Sequence, residues 1–148
     1  MKAPEINLLI AWVWILLGFA SGMLLGLGIH KENWLGGYTS LKRRMYRLGH
    51  ISFFGLGAVN LMFYLTAGRL GPGALLTASS WAMVAGAITM PLCCMVMAHL
   101  PRTRMLFALP VVSLLVGASL VIFSLLQGQH GGLSESGRET ITAKTQGL

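Results

Sequence analysis

Four long apolar runs constrain this chain more than any other feature of its sequence. They cover residues 6–29, 48–67, 74–98 and 105–126. Each is close to the roughly 20 residues that a helix needs to cross the hydrocarbon core of a bilayer. Helices are the expected spanning form, because an open strand edge in lipid leaves backbone polar groups without partners. The sequence therefore predicts an all-α integral membrane protein, a four-helix bundle with short loops.

The composition supports the same conclusion. Of the 148 residues, 55% are hydrophobic and 10% are charged, whereas soluble proteins carry about 25% charged residues. We expect one transmembrane domain over residues 1–126 and a polar extramembrane tail over 127–148, disordered when alone. The first apolar run is longer than the roughly 7–15 residue core of a signal peptide, so we expect a true span.

Basic residues are concentrated in two of the connections between spans. Seven of the eleven Lys and Arg residues lie in the first and third connections. By the positive-inside rule, these connections are expected in the cytoplasm of a bacterial cell, with both termini on the non-cytoplasmic side of the inner membrane. The net charge of +7 then indicates anionic lipid as a partner. Nucleic acid is not expected, because no basic stretch is interleaved with exposed aromatic residues.

The first connection carries several features of a membrane interface. Ser40 is a suitable N-cap for a helix that begins at Leu41 and continues into the second span. Trp34 and Tyr38 precede that helix, where an aromatic belt is expected. The first two turns of the helix carry three arginines at the headgroup level, Arg43, Arg44 and Arg47. We therefore predict that these arginines bind phospholipid headgroups.

Small residues form ridges on two of the spans. Gly18, Gly22 and Gly26 are spaced four residues apart in the first span, and the third span carries Ala78, Ala82 and Gly86. Such ridges let helix backbones approach closely in lipid. They predict either packing within this bundle or docking against other membrane helices. Asn60, in the middle of the second span, is expected to form a hydrogen bond across helices; the alternative is a role in a ligand or proton path.

Three histidines, His30, His50 and His99, lie at the ends of spans that the predicted topology places near the cytoplasmic surface. If these ends are neighbours, two of the imidazoles could ligate haem b or another metal. Arg43 and Arg47 share a predicted helix face with His50, and that face could hold haem propionates, a phospholipid headgroup or a quinone oxygen. The simpler alternative is that the histidines contact headgroups or water.

A second group of possible ligands lies on the third span. Met90, Cys94 and Met97 fall on one predicted helix face, and thioether and thiolate are soft ligands that suit Cu(I). Methionine is also an ordinary filler of irregular cores. A closed copper site would need further ligands from another helix or chain.

Catalytic patterns are missing from the sequence. The four acidic residues lie outside the spans, so the paired carboxylates of a glycosidase are not available, and no phosphate-binding loop is present. The middle of each span lacks Asp, Glu, Lys and Arg, which argues against an ion-coupled transporter.

These observations predict a small non-catalytic, accessory subunit of a larger membrane complex, respiratory or otherwise energy-converting. The alternative is an electron-transfer subunit with a b-type haem or quinone site that uses the histidines at the helix ends. A small oligomeric channel or metal transporter is a weaker alternative.

Overall fold

The computed structural model describes residues 3–28 and 30–146, and these residues form an all-α fold. Its long helices are α1 (Ala3–Gly28), α2 (Leu41–Ala67), α3 (Ala74–His99) and α4 (Ala108–Gln146). Two short 3-10 segments, Trp34–Gly36 and Pro101–Phe107, lie in the first and third connections. Within the described ranges, four helices are long and apolar enough to cross a membrane. The predicted four-helix membrane bundle is confirmed.

The start of α2 lies where the N-cap signal predicts it. The backbone of Ser40 is extended, with φ −66° and ψ 139°, and the Arg43 backbone N–H donates to Ser40 Oγ at 3.2 Å. The side chain thereby satisfies one of the amide donors that a helix start leaves without an intrahelical partner. The last residue predicted for the first span, residue 29, lies outside the described residues.

The end of α4 differs from the disorder predicted for the polar tail. This helix has 39 residues and is about 58 Å long at 1.5 Å per residue, whereas the hydrocarbon core is about 30 Å thick. The apolar stretch long enough to cross a membrane, Met105–Gln127, begins in the preceding 3-10 segment, and α4 continues beyond it to Gln146. Extending an existing helix adds one hydrogen bond per residue without a new nucleation cost, and no proline interrupts residues 128–146. Residues 147 and 148 lie outside the described residues.

The four helices do not pack equally against one another. Helices α1, α2 and α3 all contact one another, whereas α4 packs mainly against α3. Phe63, Leu70 and Met83 form a buried cluster against which side chains of α4 pack. Ser113 Oγ of α4 also donates to the Ala82 carbonyl of α3 at 2.8 Å.

A buried polar cluster joins the first three helices near their non-basic ends. Asn7 Nδ2 of α1 donates to Asn60 Oδ1 of α2 at 2.8 Å, and the hydroxyl of Ser80 on α3 donates to Asn7 Oδ1. The amide of Asn60 also donates to the Leu56 carbonyl at 2.9 Å. All three side chains are fully buried. The predicted interhelical hydrogen bond of Asn60 is confirmed.

Close helix packing uses part of each small-residue ridge. A Cβ added at Gly18 would lie 2.8 Å from the Phe54 ring, and one added at Gly86 would lie 2.5 Å from the side chain of Leu114. Gly22 lies equally close to His50. Ala82 faces Gly117, where an added Cβ would lie 3.2 Å from that of Ala82. Four of the six predicted packing residues therefore serve contacts within the chain.

The other two predicted packing residues, Gly26 and Ala78, are exposed. A Cβ added at Gly26 would meet no atom within 4 Å, and Ala78 is exposed. Both residues remain on the outer surface of the bundle.

Gly86 lies at a close helix contact and Gly26 does not. Adding a methyl group should therefore change the stability differently at the two positions. We expect Gly86→Ala to lower the free energy of unfolding by about 1–3 kcal/mol, because the new methyl overpacks the contact with Leu114. Gly26→Ala should leave it unchanged or raise it by up to about 1 kcal/mol, because alanine favours the helix. Reversible unfolding in mixed micelles, followed by circular dichroism, measures both. Equal effects of the two substitutions would contradict the described packing.

The Asn7–Asn60 hydrogen bond predicts energetic coupling between α1 and α2. In a double-mutant cycle, Asn7→Ala and Asn60→Ala should show a coupling of about 0.6–1.7 kcal/mol, as polar pairs in membrane bundles do. Thr89 provides the control, because its hydroxyl bonds carbonyls of its own helix. Asn7→Ala combined with Thr89→Ala should be additive. An additive Asn7–Asn60 pair would contradict the interhelical bond.

Candidate functional site

A cavity of about 220 Å³ lies between α1, α2 and the first connection, near the basic end of the bundle. Its apolar walls come from side chains of all three segments and of α3, namely Leu24, Leu25, Leu35, Met45, Phe53 and Met95. Its lining also includes side chains with polar atoms, namely Ser21, Trp34, Tyr46 and His50. The cavity thus combines an apolar interior with a few hydrogen-bonding groups, as small-molecule sites do.

His50 is held by a hydrogen bond across the α1–α2 interface. Its Nδ1 lies 3.0 Å from Ser21 Oγ, and the Ser21 hydroxyl donates to the Gly18 carbonyl at 3.1 Å. A hydroxyl can both donate and accept, so which of the two atoms donates depends on which ring nitrogen of His50 carries the proton. Among the described residues, Nε2 has no hydrogen-bond partner.

Gly22 explains why the imidazole can reach this position. A Cβ added at Gly22 would lie 2.8 Å from His50 Cε1, so a larger residue would displace the ring. Phe54 packs edge-on against the other side of the imidazole, with centroids 5.5 Å apart and planes at 87°. The predicted packing glycine therefore also makes room for the imidazole of His50, which the spacing of the ridge alone does not indicate.

Tyr46 connects the cavity wall to the surface. Its hydroxyl lies 3.1 Å from Nε2 of His99, and the two rings meet edge-on with centroids 6.2 Å apart. His99 is exposed at the end of α3. No motif in the sequence singles out Tyr46, although its position one turn before His50 on α2 is a signal that could have found it.

The three histidines lie at different levels along the bundle. His30 follows α1 and is exposed, whereas His50 pairs with Ser21, seven residues or about 10 Å inside the end of α1. His99 contacts Tyr46, one turn closer to the surface than His50. α2 begins at Leu41, about two turns before its apolar run. His50 therefore lies inside the bundle and not at the end of its helix.

The haem site predicted at His30, His50 and His99 stays a prediction. The imidazole of His50 contacts Ser21, and that of His99 contacts Tyr46. The cavity beside His50 has a volume of about 220 Å³.

The three arginines at the start of α2 divide into two kinds. Arg44 and Arg47 are exposed and line an open groove of about 340 Å³ with Met45, Leu48 and Ile51. Arg43 is 3% exposed, and its guanidinium carbon lies 3.8 Å from the centroid of the Tyr38 ring. The first connection folds over the first turn of α2 and covers Arg43. The prediction that Arg43 binds headgroups and shares a surface with Arg47 and His50 is therefore corrected.

The adjacent cysteines face different neighbours. Cys93 Sγ lies 3.3 Å from the Leu106 carbonyl, and Cys94 is fully buried against Gly49 of α2. Within the part of the chain that the structure describes, no group of three His, Cys, Asp or Glu side chains could hold a metal ion. Met90 and Met97 are half-buried on α3. A copper site formed by Met90, Cys94 and Met97 stays a prediction.

Comparison with known proteins identifies no relative. No family model, no curated protein and no solved structure matches this chain. The geometry of the cavity is therefore the guide to function. The cavity is almost wholly apolar, and His50 and Tyr46 are among the residues that line it.

The Ser21–His50 hydrogen bond predicts that the Nδ1 signal of His50 depends on Ser21. In ¹⁵N spectra of histidine-labelled chain in nanodiscs, we expect Ser21→Ala to shift the Nδ1 signal of His50, because it removes the hydrogen-bond partner of that atom. His50→Phe identifies the signals by their loss. An unchanged Nδ1 signal in Ser21→Ala would contradict the described bond.

Proposed function

We propose that this chain is a small non-catalytic subunit of a larger membrane complex, respiratory or otherwise energy-converting. The observation that carries the proposal is an exposed surface with small residues, against which no helix of the bundle packs. Only 11% of the spanning window of α1, and the same share of α4, is buried. Gly26 and Ala78 lie on the outer surface, where small residues allow another helix to approach closely.

The outer face of α2 offers a similar surface. Gly55 and Ala58 are exposed, and a Cβ added at Gly55 would meet no atom within 4 Å. In lipid, apolar side chains alone give little reason for helices to associate, so close backbone approach and polar bonds carry the association. The proposed partners are therefore other membrane subunits that pack against these small residues.

The second candidate function is a quinone-site subunit of an electron-transfer complex. The observation that favours it is the apolar cavity beside His50 and Tyr46. A b-type haem held by the histidines at the helix ends stays an alternative within this candidate. A channel or transporter gains no support, since the polar cluster of Asn7, Asn60 and Ser80 is fully buried and internally bonded.

We propose a location in the bacterial inner membrane with both termini on the non-cytoplasmic side. The exposed Arg44, Arg47 and Arg102 lie at the helix ends that the positive-inside rule assigns to the cytoplasm. The groove beside Arg44 and Arg47 also contains Leu48 and Ile51. Charge and apolar surface together suit an anionic phospholipid.

The subunit proposal is tested by affinity purification of the tagged full-length chain from native membranes, followed by mass spectrometry. We expect other membrane proteins to co-purify in fixed stoichiometry. Gly26→Leu should reduce their yield, because it blocks close approach on the outer face of α1. Leu16→Phe is the matched control, since it changes a large exposed residue of the same helix. Recovery of the unsubstituted chain as a stable monomer without partners would refute the proposal.

A further inference from the structure

The cavity beside His50 has room for a hydrocarbon ligand. An engineered apolar cavity of about 150 Å³ binds benzene, and this cavity has a volume of about 220 Å³. On α2 its lining extends from Met45 to Phe53, which is about 12 Å of helix axis. One leaflet contributes about 15 Å to the hydrocarbon core of a bilayer. The lining therefore follows much of the depth of the leaflet at the basic end of the bundle.

The chemistry of the lining determines which class of ligand fits. Almost all of its surface is apolar. The hydroxyl of Ser21 donates to the Gly18 carbonyl, and the hydroxyl of Tyr46 pairs with His99, so both hydroxyls already have partners. A charged or strongly polar ligand would lose its hydration here and find few partners in return. A saturated hydrocarbon chain is favoured, because it has no polar atom to satisfy.

The first connection forms the wall of the cavity at the basic end. Trp34 and Leu35 are both part of the lining, and Gly28 at the end of α1 leaves room for the Trp34 ring. The hydroxyl of Ser40 donates to the Leu35 carbonyl at 2.6 Å. The connection is thus tied to the end of α1 and to the start of α2, and a ligand entering from the membrane surface would have to displace it.

The sides of the cavity include residues that face lipid. Leu24 of α1 and Met95 of α3 are part of the lining, and they are 64% and 46% exposed. Both lie in helices that are long and apolar enough to cross a membrane. An exposed apolar side chain of a spanning helix faces acyl chains, which are as apolar as leucine. The molecules that meet this part of the lining are therefore membrane lipids.

We propose that this cavity binds one acyl chain of a membrane phospholipid, with the headgroup outside the cavity at the basic surface of the bundle. The chain enters from the side, past Leu24 and Met95, and fills the space that the side chains of α1, α2 and α3 leave open. The phospholipid is then bound to the chain in a fixed ratio. The inference goes beyond the subunit proposal and assigns the cavity an occupant other than the ring of the quinone-site candidate.

The test counts the phospholipid molecules that bind to the chain. The full-length chain, with any partners that co-purify, is delipidated in detergent micelles and titrated with dioleoylphosphatidylglycerol, and native mass spectrometry reports the ratio. The titration is repeated with Arg44→Gln and Arg47→Gln, which remove the charges of the separate groove on α2. We expect this variant to bind one phospholipid per chain. No binding, or a ratio that rises without a plateau, would overturn the proposal.

Substitutions in α1 locate the phospholipid in the cavity. Leu25→Phe fills part of the cavity and should weaken binding by about tenfold, because the chain would then overpack the lining. Leu27→Phe is the matched control, since it makes the same change at a residue that is 72% exposed and outside the lining. This control should leave the binding unchanged. Equal effects of the two substitutions would count against the cavity as the site.

A competition experiment separates an acyl chain from a ring. Lysophosphatidylglycerol, which has one acyl chain, should displace the bound phospholipid. At the same concentration, 2,3-dimethoxy-5-methyl-1,4-benzoquinone, a quinone ring without a tail, should not. Displacement by the ring and not by the lysolipid would overturn the proposal in favour of the quinone-site candidate.

Circular dichroism checks that the variants fold. If Leu25→Phe does not fold, Met95→Phe provides the same test from α3, because it narrows the cavity at its lipid-facing side. Unchanged phospholipid binding in the folded variant would overturn the assignment to the cavity. Loss of partner proteins in the purification bears on the subunit proposal alone, so the two proposals fail separately.

Discussion

The close approach of α1 and α2 at Gly18 and Gly22 determines much of what this bundle can do. Both glycines lie where a methyl group would collide with the Phe54 and His50 rings of α2. The absence of side chains brings the backbones together, and dispersion contacts replace the hydrophobic effect that helices in lipid lack. The same approach lets Ser21 reach the imidazole. Helix packing and the candidate site therefore depend on one interface.

The polar groups of the bundle are divided between its two ends. At one end, Asn7, Asn60 and Ser80 bond one another and are fully buried. A satisfied polar network in apolar surroundings favours a single arrangement of the helices. At the basic end, His50 has one bonded nitrogen and one without a partner among the described residues. The first end is suited to holding the helices together, and the second retains bonding capacity for a ligand.

The features that the sequence predicts are those set by local chemistry. Hydropathy locates four spans, and the side chain of Ser40 marks the start of α2, because each depends on residues close together in the chain. Asn60 could be assigned an interhelical bond because a lone amide in lipid needs a partner. Its partner, Asn7, is 53 residues away, and no local pattern identifies it.

The features that the sequence does not predict depend on tertiary contacts. Arg43 looks like its neighbours Arg44 and Arg47, but the first connection folds over it and stacks Tyr38 on its guanidinium. The depth of His50 follows from where α2 begins and from the room that Gly22 leaves. The cavity itself is formed by four segments that are separate in sequence. Periodicity identifies a face of a helix but does not say which neighbour covers it.

The unused packing surface and the cavity lie close together on α1. Gly26 lies one turn beyond Gly22, at the basic end of α1 and directly after the cavity residues Leu24 and Leu25. A helix that packed against Gly26 would therefore lie close to the cavity wall. Under the proposed function, a partner subunit at this surface would cover part of the cavity, because small residues let its backbone approach closely.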